Sequence, residues 1–247
     1  MMMMAAEDQS RAAEGQRNCG NVGEFLYTAC YCEENIYMLC KALGEQGVAA
    51  ADLSDLFVVF ISNDLQRVPI WRQKNCSSGS ESVCIWDYHV ICIQKAGAQE
   101  ALVWDLDTTL SLPVPLSSYV KEAFKPEIEL DELYLRLFRV VRASTFLRTF
   151  ASDRRHMRTP EGGWLAPPPN YECIVAEDGE AYNLEEYNRM AQGNVQHASD
   201  EDLDKSMSDK YGVVLSEDGF VKAFAVNRSR APLQILDINN HQLVING

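Results

Sequence analysis

Two runs rich in β-branched and aromatic residues, VCIWDYHVICIQ (83–94) and EALVWDLD (100–107), flank a short link with Gly97 at its centre. Runs of this kind joined by so short a link form a β-hairpin. Side chains alternate faces along a strand. His89 therefore shares a face with Asp87 and Ile91, while Trp86, Tyr88 and Val90 point the other way. On the partner strand Asp105 and Asp107 share a face. A turn symmetric about Gly97 pairs Gln94 with Glu100 and sets His89 directly opposite Asp105. Directly opposed residues have Cβ atoms about 4.5–5.5 Å apart, close enough for imidazole and carboxylate to hydrogen-bond. A slip of two residues would choose Asp107 instead.

The rest of the chain supplies what surrounds such a hairpin. In EENIYMLCKALG, Ile36, Leu39, Cys40 and Leu43 fall on one helical face. Glu33 and Glu34 lie in its first turn, where the helix dipole favours negative charge, and Gly44 suits the position just past its end. Cys32 then stands at the helix amino terminus. LFVVFIS (56–62) reads as a buried strand, VPIW as the start of another extended piece and QKNCSSGSES (73–82) as a loop. SSYVKEAF (117–124) reads as a helix ended by Pro126, YLRLFRVV (134–141) as a strand and ASTFLRTFA (143–151) as a short helix. VVLSEDGFVKAFA reads as a last helix. The expected class is α+β, an antiparallel sheet packed with helices. Residues 1–22 read as a disordered leader, 23–225 as one catalytic domain with a flexible acidic insertion at about 191–210, and 226–247 as a C-terminal tail with a hairpin around Asn239 and Asn240.

A histidine held by a carboxylate asks for a nucleophile, and Cys32 has a helix amino terminus behind it, which lowers thiol pKa and favours the thiolate. Cys32, His89 and Asp105 thus form a candidate Cys-His-Asp arrangement. Glu33 and Glu34 work against the thiolate unless they point away. A metal site built on Cys30, Cys32 and His89 is the weaker alternative, because no second CxxC or HxxxH accompanies them. Cys40, Cys84 and Cys92 sit inside apolar patterns and read as small buried hydrophobes. Asp153, Arg154 and His156 read as a solvated loop after a helix, and Trp164 with the proline run at 167–169 as a rigid flap or a plain surface turn.

The formal net charge of −14 disfavours nucleic acid as a partner. No stretch approaches the apolar length needed to span a bilayer. The amino terminus lacks the apolar and basic regions of a secretory signal, so the chain reads as cytoplasmic, with the nucleus as a second compartment.

The run YTACYCEENIYMLC, the pentapeptide WDYHV at 86–90 and DLDT at 105–108 together resemble the protein N-terminal glutamine amidohydrolases. FASDRRHM, the segment from Trp164 to Pro169 and YNLEEY look similar as well. The resemblance covers about residues 25–190, with a weaker patch near 211–224. It implies a papain- or transglutaminase-like fold and conversion of a protein's N-terminal glutamine to glutamate with release of ammonia, feeding the arginylation branch of the N-degron pathway. It also implies a monomer, no cofactor, and Cys32, His89 and Asp105 as the catalytic residues. Reading a free α-amino group calls for an acid, for which Asp87, Glu33 and Asp107 are the candidates. The other readings are a broader thiol hydrolase or acyl transferase, and a non-catalytic binder of protein amino termini.

Overall fold

The computed structural model describes residues 25–76, 82–196 and 200–225. The leader at 1–22 and the tail at 226–247, with its expected hairpin, lie outside the described residues.

The chain is α+β. Helix α1 runs Cys32–Glu45, with Ile36, Leu39, Cys40 and Leu43 all buried, as their spacing predicts. It ends later than expected: Gln46 caps it and Gly47, not Gly44, takes the left-handed conformation at φ 67°. The apolar run Leu56–Ser62 is β1, buried at every residue. It lies in the middle of an antiparallel six-stranded sheet. Its neighbours are β4 (His89–Gln94) and β7 (Leu137–Arg142). Beyond β4 come β5 (Leu102–Trp104) and β6 (Val114–Pro115), and beyond β7 comes β8 (Val213–Ser216). Strands β2 (Val68–Trp71) and β3 (Val83–Trp86) form a separate two-stranded sheet.

Alternation along β1 splits the interior into two layers. Val58 and Phe60 face one, with Val90, Cys92, Trp104 and the buried stripe of α1. This layer also takes Phe146 of α3 (Ala143–Thr149) and Tyr187 of α4 (Leu184–Asn188). Phe57, Val59 and Ile61 face the other, with Ile91, Ile93, Val103 and Phe138. It is covered by Tyr119 of α2 (Leu116–Tyr119), by Phe124 of the π-turn that continues α2, and by Phe220 and Phe224 of α6 (Glu217–Phe224). Full burial of each such side chain is worth about 1.5–3 kcal/mol.

Several expectations are corrected. The run 83–94 is not one strand: Asp87 and Tyr88 break it, sending β3 to the small sheet and β4 to the large one. The β4–β5 register is two residues away from the symmetric one, since Gln94 pairs with Leu102 and Cys92 with Trp104. Cys84 is not a buried hydrophobe but is bonded to Cys76, because the pairing of β2 with β3 brings their Cα atoms to 5.5 Å. VVLSEDGFVKAFA divides into β8 and α6, with Ser216 Oγ accepting the Gly219 N–H at the helix start. Apart from these corrections, the acidic stretch near 191–210 carries helix α5 (Asp200–Ser206), whose Leu203 packs with Met207 into the second layer.

Gly212 turns the chain into β8 at φ 56°, and an added Cβ would sit 2.0 Å from the Val140 carbonyl oxygen. Gly212→Ala is therefore expected to lower unfolding free energy by at least ~2 kcal/mol, from left-handed strain plus the clash. Urea unfolding followed by tryptophan fluorescence measures this; an unchanged midpoint would show that the turn relaxes freely.

Candidate active site

His89 is the first residue of β4, and its Nε2 lies 2.9 Å from Asp105 Oδ1, both side chains being fully buried. The residues that the symmetric register predicts do meet, but for a different reason. The observed register, if continued, would set His89 opposite Asp107. Strand β5 stops at Trp104, however, and the chain turns, with the Thr108 N–H bonded to the Asp105 carbonyl. That turn swings the Asp105 carboxylate back to the imidazole.

Asp105 is held from several directions. Oδ2 accepts from Gln73 Nε2 at 2.9 Å and from the Tyr119 hydroxyl at 2.8 Å, and Oδ1 also accepts the Asp107 N–H at 2.9 Å. Burial raises the carboxyl, but the His89 charge and these side-chain donors outweigh it and hold Asp105 below its ordinary range. For His89 the balance is similar. Burial pulls it down, yet the Asp105 charge and hydrogen bond, helped by Asp107, hold the imidazole above its ordinary value. An ionised Asp105 accepts only, so Nε2 is the nitrogen that donates. Nδ1 has no hydrogen-bond partner although it is buried, and it is left as the working atom. The Trp86 indole stacks on the imidazole with centroids 4.6 Å apart. Sequence reasoning missed Gln73, in a segment read as loop, and Tyr119, on a short helix; no local pattern in the sequence marks either.

Cys32 opens α1 and is buried. Here the structure reverses the expectation of a lowered thiol pKa. Burial pushes the Cys32 thiol well up, the Glu33 charge adds to it, and Asp107 and Asp87 contribute further, while the Val90 backbone N–H acts the other way. Glu33 does not point away. The thiol donates to Glu33 Oε2 at 3.7 Å, and no hydrogen bond joins it to His89. Burial and the acids around it thus favour the neutral thiol at Cys32.

The three candidate recognition acids differ in what they already bind. Asp107 accepts the Tyr27 hydroxyl at 2.6 Å, and its pKa is raised, chiefly by burial. Asp87, in the β3–β4 break, accepts the Tyr88 N–H. Glu33 is fully buried, with Oε2 accepting the Tyr88 hydroxyl at 3.0 Å and Oε1 lacking a hydrogen bond. Its neighbour Glu34 does turn aside: it binds Arg154 through Nε at 3.0 Å and Nη2 at 2.9 Å. Arg154 is thus buried, not solvated, and its left-handed φ of 63° starts the turn that brings His156 towards Glu33. Asp153 and Arg155 do form an exposed pair. Trp164 lies under Arg158, with the guanidinium carbon 3.4 Å from the ring centre.

Among the described residues, His89, Asp105 and Asp107 place possible metal-ligand atoms within 4.8 Å of one another. Both Asp105 oxygens are already engaged by hydrogen-bond donors. Cys30 is exposed on the cleft rim rather than buried beside Cys32. The cleft, of about 680 Å³, is lined by Cys32, Asp87, Tyr88, His156, Leu165 and Tyr182 among others. The last two come from the Trp164–Pro169 and YNLEEY segments. No helix of the described residues is long and apolar enough to cross a membrane.

The model of the N-terminal glutamine amidase family matches residues 27–224. The chain is 52% identical over 195 residues to the protein N-terminal glutamine amidohydrolase of Arabidopsis thaliana, covering 78% of this chain and 88% of that protein. The protein of the same name from Oryza sativa subsp. indica is 47% identical over 196 residues, covering 78% and 84%. That of Drosophila mojavensis is 43% identical over 155 residues, covering 63% and 74%.

The His89–Asp105 pair has a defined pH signature. Asp105, with its pKa below the ordinary 3.8, contributes stability that is present above that pH and is lost as pH falls through its folded value. His89, with its pKa above the ordinary 6.5, contributes stability that is present below that pH and is lost as pH rises through its folded value. The difference in thermal midpoint between wild type and Asp105→Asn is therefore expected to be largest between these two values and to shrink on both sides. A difference independent of pH would mean that the pair is not ionised in the folded protein.

Proposed function

The chain belongs to the N-terminal glutamine amidase family, and from that premise we propose how its site works. It hydrolyses the side-chain amide of a protein's N-terminal glutamine, giving glutamate and ammonia. In our reading Cys32 is the nucleophile, His89 the general acid and base, and Asp105 the residue that orients the imidazole. The observation that supports this most directly is the fully buried His89–Asp105 pair, whose unpartnered Nδ1 belongs to the residue preceding Val90, the residue that favours the Cys32 thiolate.

Cys32 Sγ gives its proton to His89 Nδ1 and attacks the glutamine Cδ. His89 returns the proton to the departing ammonia, and the acyl group stays on sulfur as a thioester. A water that loses its proton to His89 then releases glutamate. The backbone N–H of Cys32 lies among the helix-start N–H groups without an intrahelical partner and serves the tetrahedral oxyanion; a donor of this kind supplies ~3–4 kcal/mol of transition-state stabilisation. N-terminal asparagine is rejected because its amide carbon, one methylene nearer the backbone, is misplaced for attack. Pocket affinity for a methylene is worth only ~1–3 kcal/mol, so misplaced chemistry carries the discrimination.

A helix-borne cysteine, a strand-borne histidine and a carboxylate orienter make up the arrangement of papain- and transglutaminase-like thiol hydrolases, and we assign the fold to that kind. The new N-terminal glutamate is a substrate for arginylation, which places the reaction in the N-degron pathway. We take the protein to act as a monomer in the cytoplasm and nucleus.

A free and an N-acetylated peptide beginning with Gln test the reading, with ammonia and peptide mass followed together. Only the free peptide is expected to react. Cys32→Ala should abolish turnover, and Asp105→Asn should lower kcat on the order of 10⁴-fold through loss of the correct imidazole tautomer. Conversion of both peptides would indicate a broader thiol hydrolase, and binding without turnover a receptor for protein amino termini.

A further inference from the structure

Glu33 is in an unusual position for a buried acid. Its side chain is fully enclosed, yet its two oxygens are used unequally. Oε2 accepts the Tyr88 hydroxyl at 3.0 Å and the Cys32 thiol at 3.7 Å. Oε1 has no hydrogen bond. His156 Nε2 stands 3.4 Å away, but its geometry makes no bond, and both of its ring nitrogens are unsatisfied. Cys32, Tyr88 and His156 all line the cleft. A buried acceptor without a donor is costly unless some state of the protein supplies one. Here the open oxygen faces the groups that form the wall of the substrate cleft. Arg154, the buried cation that reaches this end of α1, is already taken by Glu34.

We propose that Glu33 couples recognition of the substrate's free α-amino group to activation of Cys32: in the empty enzyme its carboxylate retains the thiol proton, and the arriving ammonium occupies Oε1, displaces His156 and releases Sγ to His89. This rests on the amidase reading and deepens it. The proton that leaves Cys32 goes to His89 Nδ1, so the step forms the thiolate–imidazolium pair without any further reactant.

The dimensions agree. The α-nitrogen and Cδ of glutamine are four bonds apart, about 5 Å when extended. Sulfur approaches the attacked carbon to about 3–3.5 Å, and an ammonium sits about 2.8 Å from a carboxylate oxygen. Sγ lies 3.7 Å from Glu33 Oε2 and Oε1 is the other oxygen of the same carboxylate, so these separations can close a single loop through one bound residue. The charges agree as well. Those that face the thiol are acidic, Glu33 first, then Asp107 and Asp87. Around Glu33 stand the phenols of Tyr31, Tyr88, Tyr171 and Tyr182 together with His156. The phenols bring no positive charge, whereas the substrate brings one. A blocked amino terminus would fail twice, in binding and in generating the nucleophile.

The thiolate of Cys32 can be titrated by its ultraviolet absorbance, with Cys32→Ser as the blank that removes the other cysteines and the tyrosines. The ligand is a peptide beginning with norleucine, which cannot be hydrolysed, offered free and N-acetylated, with binding followed by calorimetry. Saturation of wild type with the free peptide is expected to lower the midpoint by at least one pH unit, a tenfold gain in thiolate at a fixed lower pH. The acetylated peptide should bind more weakly and leave the midpoint unmoved. Glu33→Gln should show the lowered midpoint without ligand, respond to neither peptide and lose its preference for the free one. A bound free peptide that leaves the wild-type midpoint in place would overturn the coupling, as would equal affinity for the two peptides. The calorimetric comparison of the free and acetylated peptides on wild type needs no variant to fold. Turnover of N-terminal Gln with an unmoved midpoint would remove the coupling alone, and a moved midpoint without turnover would leave the coupling standing and remove the amidase reading.

Discussion

Keeping one carboxylate ionised where no water reaches it is the constraint on which the rest of this structure depends. Asp105 is fully buried, and an unpaired ion there would cost several kcal/mol after relaxation. It is tolerated because donors converge on it from separate parts of the chain: His89 at the start of β4, Gln73 after β2, Tyr119 at the end of α2 and the Asp107 backbone N–H. Each is a charge-assisted bond, worth about 1.5–3 kcal/mol. The small β2–β3 sheet, strands β4 and β5 and the helix after β6 are thereby bound to the same point. The Cys76–Cys84 bridge closes the segment between Gln73 and Trp86, so both the residue that bonds Asp105 and the ring that stacks on His89 belong to one tethered unit.

The cleft is walled by the same device used with cations. The loop after α3 has little apolar content to hold it, yet Arg154 enters the interior and meets Glu34 while also donating to the Pro169 carbonyl. Arg136 reaches Glu217 and the carbonyls of Pro69 and Phe124, tying α6 to the layer that holds Tyr119. Arg139 donates to the carbonyls of Tyr187, Arg189 and Tyr211, which fixes the segment that follows α4. Planar guanidinium groups suit this task, since several backbone carbonyls can be satisfied by one side chain without a second charge.

The long apolar elements and the reaction class are legible in the sequence, but not the joints between the elements. β1 is legible because seven consecutive apolar or small residues have one reading. α1 is legible because its apolar spacing is helical. His89 and Asp105 were paired through a register that the structure does not have; the pairing survives because the chain turns at the end of β5, and local pattern carries no information about where a strand stops. Gln73 and Tyr119 were invisible because they act through tertiary approach from elements distant in sequence. The rise of the Cys32 pKa was missed for a related reason. The helix terminus is a local feature, whereas burial and the inward turn of Glu33 are properties of the packed protein, and burial is the larger effect.

The two halves of the proposed chemistry come from opposite sides of one sheet. Cys32 belongs to α1, which packs on the layer with Val90 and Cys92, and Cys40 on the same helix touches Cys92 with sulfurs 3.8 Å apart. His89 shares a strand face with Ile91 and Ile93, which look into the other layer, where Tyr119 holds Asp105. Thiol and imidazole can therefore meet only at the end of β4, where the sheet no longer separates the layers. Their separation depends on how α1 rides on β4, and a close-packed apolar contact of that kind resists displacement. In the coupling we propose, it is the side chain of Cys32 that turns from Glu33 to His89 while both layers stay in place. A rotation about χ1 between staggered wells is a small change, and the charge on Glu33 is the force that sets which well is occupied. Specificity for a free amino terminus thus needs no moving loop, because the sheet holds the base still while one buried carboxylate governs the nucleophile.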